Sequence, residues 1–487
     1  MKVGLILSLF DQYKSVGFKA KHAKRVYGYF LPLGIAHLAA ILKRDGHDVA
    51  VLDPCPLSMD FKEIVEWIGN QQLDVLGIST LTHASKNAYS IAQLCKERFP
   101  DLPVVLGGTH CTVFPDTVMS DCPAVDVAVL GEAEERITTI MEALVAKSEL
   151  ESIPGLIYRD AGGQIRFTGK PPLQTDLDTL PFPARELFDP ALYCPFPDQV
   201  RKTPVANLMT SRGCPWRRCK FCFEGGKFMP PYRRRSPESV MGELRSAYAL
   251  GYRGAAFWDD NFCVNDKWVK SMCRLLRESG LGFTWSCCAR VNTLTEAMIQ
   301  EIKAAGCFTI YFGFESGDQA TLDLIDKGTT LDQAREAVAA CRKAGIESRG
   351  SFILGMPGDT PELAEKSIAF SRELDLDSVK FMLYTPEPGT GLYEIAKDKG
   401  QFLGGDFQGS LSRATYLPAC RVFQRGGIGA FGGQGQPVLL FSPEVHLEKA
   451  AFLEKLARFN EVLGWIPAVA QLAPAVDNTV AGIRAKA

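Results

Sequence analysis

No stretch of this chain is long and apolar enough to read as a membrane span. The longest apolar runs, around residues 31–42 and 461–476, are broken by His37, Pro467 and Pro474 and fall short of the ~20 residues a bilayer requires. Contact with a membrane is therefore expected to be peripheral at most, with no transmembrane segment. Charge of one sign is not in excess either: the net charge is -2 over 487 residues, which implies no global attraction to nucleic acid or an anionic surface. Histidine is scarce, with six residues, and the nearest in sequence to the cysteine motif at 214–222 are His110 and His446. A zinc site in that motif would lack a nearby fourth ligand. A secretory leader is also missing, because MKVGLILSLFDQ has one early lysine and a short apolar run that ends at Asp11 and reads as a first strand. With fifteen cysteines and no leader, a reducing, cytoplasmic location is expected.

What is present is the composition of a globular protein, 46% hydrophobic and 23% charged, long enough for about three domains. Residues 1–147 alternate short apolar runs with amphipathic stretches: KVGLILSL, LPLGIAHLAAILKRDG, HDVAVLD, FKEIVEWIGNQ, DVLGIST, NAYSIAQLCKERF, PVVLGG and VDVAVLGEAEE. Strands alternating with helices predict an α/β fold with a doubly wound, Rossmann-like parallel sheet, whose ligands bind beyond the carboxyl ends of the strands. That picks out the loops that begin at Ser79, Gly107 and Gly131. Residues 148–203 carry Pro171, Pro172, Pro181, Pro183, Pro190, Pro195 and Pro197 and read as a linker along the surface. From 204 to 395 a second alternation of six βα units predicts a partial, TIM-like barrel with its site at the C-terminal mouth of the strands. Residues 396–487 read as a small, mostly helical C-terminal domain that shapes a substrate pocket or lid. Its stretch QRGGIGAFGGQGQP matches Gly-x-Gly-x-x-Gly formally at Gly427, Gly429 and Gly432, but Gly433, Gly435 and Pro437 follow where the motif needs a helix. A lid and a plain connector both remain open for it.

The segment SRGCPWRRCKFCFEGG follows the first strand of the second alternation and places Cys214, Cys219 and Cys222 at that mouth. Three thiolates are one short of the four that close an ordinary iron–sulfur or structural zinc site, so one metal position would stay open for chemistry. A zinc knuckle, a redox pair and three buried thiols are the alternatives. A Cys-x-x-Cys pair at 219 and 222 would leave Cys214 unexplained. Between Arg212 and Arg235 lie eight basic residues against one acid, Glu224. Such a patch favours a reduced cluster or an anionic ligand, or is a solvated face.

With its following segments in this order, the chain resembles the cobalamin-binding radical S-adenosylmethionine (SAM) enzymes over roughly residues 1–395. The resemblance implies that Cys214, Cys219 and Cys222 hold a 4Fe-4S cluster whose open iron binds SAM, which is cleaved reductively to a 5′-deoxyadenosyl radical. Phe221 matches the aromatic position beside the adenine. Asp259 and Asp260 in WDDN stand where the family offers polar groups to the SAM amino group, and Arg290 in CCARVN is suited to the SAM carboxylate. Glu315 and Ser316 end the fourth strand, and Ile353 and Gly355 in GSFILGMPGDT resemble the stretch that backs the adenine. TPEPGT looks like the closing loop. One departure stands out: four residues, Pro215 to Arg218, separate the first two cysteines, where the family commonly has three. An altered loop conformation is expected there.

The first domain resembles the cobalamin-binding domain through Ser79, Leu81 and Thr82, Gly107, Gly108 and His110, and Gly131 and Glu132; small residues let backbone approach a flat, bulky ligand. The Asp-x-His-x-x-Gly signature is missing, and His22 in the first loop does not supply it, so cobalt would have no histidine ligand from this domain. The implied activity is transfer of a methyl group from methylcobalamin to a substrate carbon radical. The implied partners are a small-molecule substrate, such as a natural-product, lipid or tetrapyrrole intermediate, and an external electron donor such as flavodoxin or ferredoxin. The same cofactors could instead serve a tetrapyrrole-cyclase-like oxidation or rearrangement, and a non-catalytic, cluster-stabilised binding protein is the remaining alternative. Methylthiolation of tRNA is disfavoured, because Cys55, Cys95, Cys111 and Cys122 do not resemble a second cluster site and no basic RNA-binding domain is visible.

Overall fold

The computed structural model describes residues 1–9, 30–193, 195, 200–225, 230–384, 386–399, 401–403 and 415–417. The expectations for His22, for the Gly-rich stretch and for the two C-terminal helices fall outside these residues.

Seven strands form the first sheet: β1 (Lys2–Leu7), β2 (Asp48–Leu52), β3 (Val75–Ser79), β4 (Val104–Gly107), β5 (Val127–Val129), β6 (Leu156–Arg159) and β7 (Ile165–Phe167), in the spatial order β2-β1-β3-β4-β5-β6-β7. The first five run parallel. Helices Leu33–Arg44, Phe61–Gln71 and Ser85–Arg98 carry crossovers, and Ile137–Ala146 leads from β5 to β6. Strands covered on both faces need apolar residues on both, and β1, β3, β4 and β5 are accordingly rich in Val, Ile and Leu, with small residues between them. Helix Phe61–Gln71 starts where it does because Asp60 and Glu63 form a reciprocal capping box. The chain reverses direction across the sheet between β1 and β3, and the crevice at that switch is where such folds take ligands.

The stretch expected as a surface linker behaves differently. Residues 156–167 add β6 and β7 antiparallel to the sheet edge, so the sheet extends past residue 147. Further on, Ala184 N donates to Ala36 O, and the Arg185 guanidinium is buried between the two halves of the molecule, donating to Asn207 O (2.7 Å) and Glu243 Oε1 (2.5 Å). The prolines rule out long regular elements here but not burial.

Six parallel strands form the second sheet: β8 (Val205–Leu208), β11 (Gly254–Phe257), β12 (Thr284–Ala289), β13 (Cys307–Glu315), β14 (Glu347–Leu354) and β15 (Ser378–Leu383), side by side in chain order. A separate two-stranded ribbon, β9 (Ser211–Arg212) with β10 (Arg233–Arg234), brackets the cysteine loop. Helices Pro237–Ala249, Asp266–Glu278, Glu296–Ala304, Leu331–Ala344 and Pro361–Glu373 connect the strands and bury a core around Trp285, Phe262, Phe312 and Phe352. This is the expected partial barrel of six βα units. Among the described residues no helix is long and apolar enough to cross a membrane.

Candidate functional site

The chain leaves β8, passes through β9 and turns at Gly213 (φ 81) into the cysteine loop. Cys222 N donates to Cys219 O (3.1 Å) and Gly225 N to Cys222 O (3.0 Å), which coils the loop's end into a tight turn. Gly225 is required there, since a Cβ would stand 2.5 Å from Cys219 O. The extra residue between the first two cysteines is absorbed by two devices. Arg217 takes the left-handed conformation (φ 49), and Trp216 is pinned by a hydrogen bond from its indole nitrogen to Asp326 O (2.8 Å). The Trp216 ring lies so close to Gly328 that a Cβ there would come within 2.0 Å of it.

Arg290 also packs on that ring, its guanidinium 4.8 Å from the ring centre, and donates to Cys219 Sγ (3.7 Å) and to Lys327 O. Expected at the SAM carboxylate, it is buried against the cysteine loop as a donor to sulfur. Burial pushes the Cys219 thiol up, against the opposing pull of Lys327 and Arg290, and pushes Cys222 up to about 12. Both thiols must give up protons to a metal in order to ligate it. Among the described residues no three Cys, His, Asp or Glu side chains converge on a single-ion site. A 4Fe-4S cubane gives each cysteine its own iron and does not need such convergence.

Around this loop the strand ends are unequal. Phe221 and Ile353 belong to one apolar cluster with Met356, Tyr384 and Leu392, a surface suited to a flat base. Gly355 (φ 80) leaves open space where a side chain would be, and its N–H is held by Asp359 Oδ2 (2.7 Å). Asp259, expected at the SAM amino group, is instead fully buried and accepts from Thr210 Oγ1 (2.7 Å), Thr210 N (3.2 Å) and Ser211 Oγ. It ties the exit of β8 to the end of β11, with both lone pairs of Oδ1 and one of Oδ2 engaged. Asp260 opens to solvent, and partial desolvation with the neighbouring Asp259 charge pushes it up to about 6.

Glu315 occupies a left-handed position (φ 65) at a register shift in β13 and pairs with Lys327 Nζ at 2.7 Å, both side chains buried. Ser316 is buried against Ser367. Two polar groups escaped the sequence reading. Glu224, the lone acid in the basic stretch, has a buried Oε2 without a hydrogen-bond partner and is pushed up to about 7 by burial and by Asp260. Asn261 has a buried, unpartnered Nδ2. Only their sequence neighbourhood, two residues after Cys222 and directly after Asp260, signalled them.

On the first sheet, Ser8 Oγ donates to Thr80 Oγ1 (2.9 Å) across the β1/β3 switch, and Ser8 N to Ser79 O (2.9 Å). The β3 and β4 loops cross so tightly that a Cβ on Gly108 (φ 98) would sit 2.3 Å from Thr80 O. Gly107 beside it faces open space, while Leu81 is 40% exposed and Thr82 half-buried. That is the cradle a flat ligand needs. His110 is not part of it: the ring is buried, bonded to Tyr89 Oη at 2.7 Å, and burial lowers its pKa to about 4.

Gly131 (φ 65) abuts Pro171, and the Glu132 side chain, expected near the same ligand, is engaged elsewhere. It takes two bonds from Arg233 (2.7 and 2.8 Å) and a further ion pair from Arg212 (3.2 Å), while Arg212 also reaches Glu134 (2.5 Å). The basic stretch is therefore neither a solvated face nor an open anion site in the main: Arg212 and Arg233 join the two domains, and Arg235 is buried against Glu243. Phe30 and Trp258 add an edge-to-face contact at 4.9 Å between the same halves.

Comparison with known proteins agrees with this architecture. Residues 208–370 match the radical SAM superfamily and residues 23–141 the B12 binding domain. An uncharacterized methyltransferase of Pyrococcus horikoshii is 36% identical over 366 residues, covering 75% of this chain and 78% of the relative. The anaerobic magnesium-protoporphyrin IX monomethyl ester cyclase of Rubrivivax gelatinosus is 28% identical, covering 77% and 68%. Among solved structures, the radical S-adenosylmethionine methyltransferase TsrM from Kitasatospora setae, with tryptophan substrate and a SAM analogue bound, superposes with a TM-score of 0.68 at 20% identity, covering 96% and 89%.

Proposed function

The chain belongs to the cobalamin-dependent radical SAM enzymes, and from that premise we propose that it transfers a methyl group from cobalamin to a carbon of a small-molecule substrate. Its cofactors are a 4Fe-4S cluster, SAM and cobalamin. When bound, these supply a 5′-deoxyadenosyl radical and a transferable methyl group. The observation that carries the reading is the juxtaposition of two mouths: a three-cysteine loop at the end of β8, and a glycine-lined cradle at the ends of β3 and β4, joined by arginine–carboxylate pairs.

In this proposal Cys214, Cys219 and Cys222 ligate the cluster, and Arg290 and Lys327 provide positive charge beside it. Phe221, Ile353 and Gly355 receive the adenine. Asp260 and Glu224, the latter raised in part by the Asp260 charge, accept the SAM ammonium. Gly107, Leu81 and Thr82 approach the corrin. The buried walls formed by Tyr384 and Met356 exclude water from the radical. An external one-electron donor, a flavodoxin or ferredoxin, reduces the cluster. The described cysteines form no disulfide, which suits a reducing compartment such as the cytoplasm.

Anaerobically reconstituted protein given SAM, reductant and substrate should form 5′-deoxyadenosine and S-adenosylhomocysteine together. Protein that binds no cobalamin would sink the methyl-transfer reading. Formation of 5′-deoxyadenosine without S-adenosylhomocysteine would move the chain to the cyclase-like reading, which its 28% likeness to the Rubrivivax cyclase keeps in view.

A further inference from the structure

The ribbon that bears the cysteine loop has an unfavourable pairing built into it. Arg212 on β9 lies directly opposite Arg233 on β10, and like charges in a cross-strand pair repel. Among the described residues of the ribbon and its loop no side chain forms an ion pair with either arginine, and Glu224 acts on Arg233 only through its field. Relief comes from the other domain: the Glu132 carboxylate bridges the two guanidiniums, with Arg233 holding both its oxygens (2.7 and 2.8 Å) and Arg212 at 3.2 Å. Glu134 binds the far side of Arg212 at 2.5 Å, so acids and bases alternate as Glu134, Arg212, Glu132, Arg233. All four side chains are less than a fifth exposed. Arg233 also donates to Gln174 O, which anchors the connecting segment to the same point.

Both ends of this ladder sit next to cofactor ground. Arg212 is two residues before Cys214, and Glu132 follows Gly131 at the end of the strand beside the glycine cradle. We propose that Glu132 and Glu134, with Arg212 and Arg233, form a positioning clamp that makes the cysteine-loop ribbon stable only when the first domain is docked, and so fixes the separation between cobalamin and the iron–sulfur cluster. The inference rests on the two-cofactor reading above. Radical formation and methyl delivery must reach one substrate carbon, and a fixed separation lets both do so. These four residues act through the loops they hold and touch no reacting atom.

The test is the dipolar coupling between cob(II)alamin and the reduced cluster, read by pulsed electron paramagnetic resonance on the fully loaded protein. Wild type should give a single narrow separation. The near-isosteric Glu132→Gln leaves Glu134 as the one acid for two opposed arginines and should broaden or shift it; Arg233→Lys, which keeps charge but loses the two-pronged grip, should do so less. Adding Arg233→Gln to Glu132→Gln removes the opposed charge and leaves Arg212 paired with Glu134, and should narrow the separation again. Unchanged separation in Glu132→Gln, or no recovery in the double variant, would overturn the clamp. Should wild type take up no cobalamin, the function reading fails instead. The clamp is then still read by hydrogen exchange on the cofactor-free chain: Glu132→Gln must raise exchange in residues 205–213 across the interface, and unaltered exchange there overturns it.

Discussion

Replacing Glu243 by Gln removes the anion from a buried knot of charge that lies between the domains. The Glu243 side chain is 2% exposed and holds Arg185, also 2% exposed, at 2.5 Å, while its other oxygen takes Arg235, 8% exposed. Glutamine keeps the shape but leaves two guanidiniums without a counter-charge in a site closed to water. Breaking a buried pair from one side costs roughly 3–5 kcal/mol, because a charge is left uncompensated. With an unfolding entropy of about 2.1 cal/mol/K per residue, a chain of 487 residues that unfolds as one unit shifts by about 1 °C per kcal/mol, so the midpoint of thermal unfolding should fall by about 3–5 °C. The pH dependence has a definite sign. Burial alone would raise the Glu243 pKa, but Arg185 and Arg235 outweigh it and hold the carboxyl below its ordinary value. A depressed folded-state pKa adds stability above the unfolded value of about 4.3 and loses it as pH falls through the lower folded value. The gap between wild type and Glu243→Gln, measured by scanning calorimetry, should therefore be constant from neutral pH to about pH 5 and close only in more acid solution. A midpoint shift below about 2 °C at neutral pH would refute the reasoning, since it would mean that water or another anion reaches the arginines.

Beside the cysteine loop, Lys327→Met should destabilise by a similar roughly 3–5 kcal/mol by stranding Glu315, and adding Glu315→Gln should recover much of that loss in urea titrations. Gly328→Ala places a methyl 2.0 Å from the Trp216 ring at φ 65, so the four-residue spacer should lose its anchor and iron content per chain after reconstitution should drop, with the first sheet's stability unaffected. A Cβ on Gly107 would meet nothing within 4 Å, so Gly107→Leu should leave the unfolding midpoint nearly unchanged while abolishing cobalamin uptake. By contrast Gly108→Ala, whose Cβ would stand 2.3 Å from Thr80 O at φ 98, should lower stability and cobalamin uptake together by distorting the crossing loops.

The fold could be read from the chain because its signals are local. Strand-to-helix alternation, the apolar runs of β1, β3 and β4, and the order of strand-end motifs all repeat within short windows. The short β6 and β7 were missed because β7 is exposed throughout and its residues carry no buried-strand pattern amid polar and proline-rich sequence. At the site, residue types were legible and partners were not. Asp259 looks like a ligand group in WDDN, yet Thr210, 49 positions away, had already claimed it. Glu132 looks like a cradle residue after Gly131, yet its partner Arg233 is 101 positions distant. A carboxylate's role depends on which cation folding brings to it, and such long-range pairings leave no spacing in the sequence. The like-charged pair Arg212 and Arg233 is a similar case: in sequence it is part of a basic patch, and only the ribbon register makes it an unfavourable contact that another domain relieves.

The central claim is that one chain brings a SAM-cleaving cluster and a methyl-carrying cobalamin to facing loops. It is tested most directly without knowing the substrate, by incubating the cluster- and cobalamin-loaded protein anaerobically with titanium(III) citrate and SAM bearing an isotopically labelled methyl group, and analysing all products by mass spectrometry. The account predicts S-adenosylhomocysteine with the label carried onto bound cobalamin, together with 5′-deoxyadenosine that disappears when Cys214, Cys219 and Cys222 are replaced by Ala. Protein with an intact cluster that forms no 5′-deoxyadenosine, or that leaves the label on SAM, would contradict it.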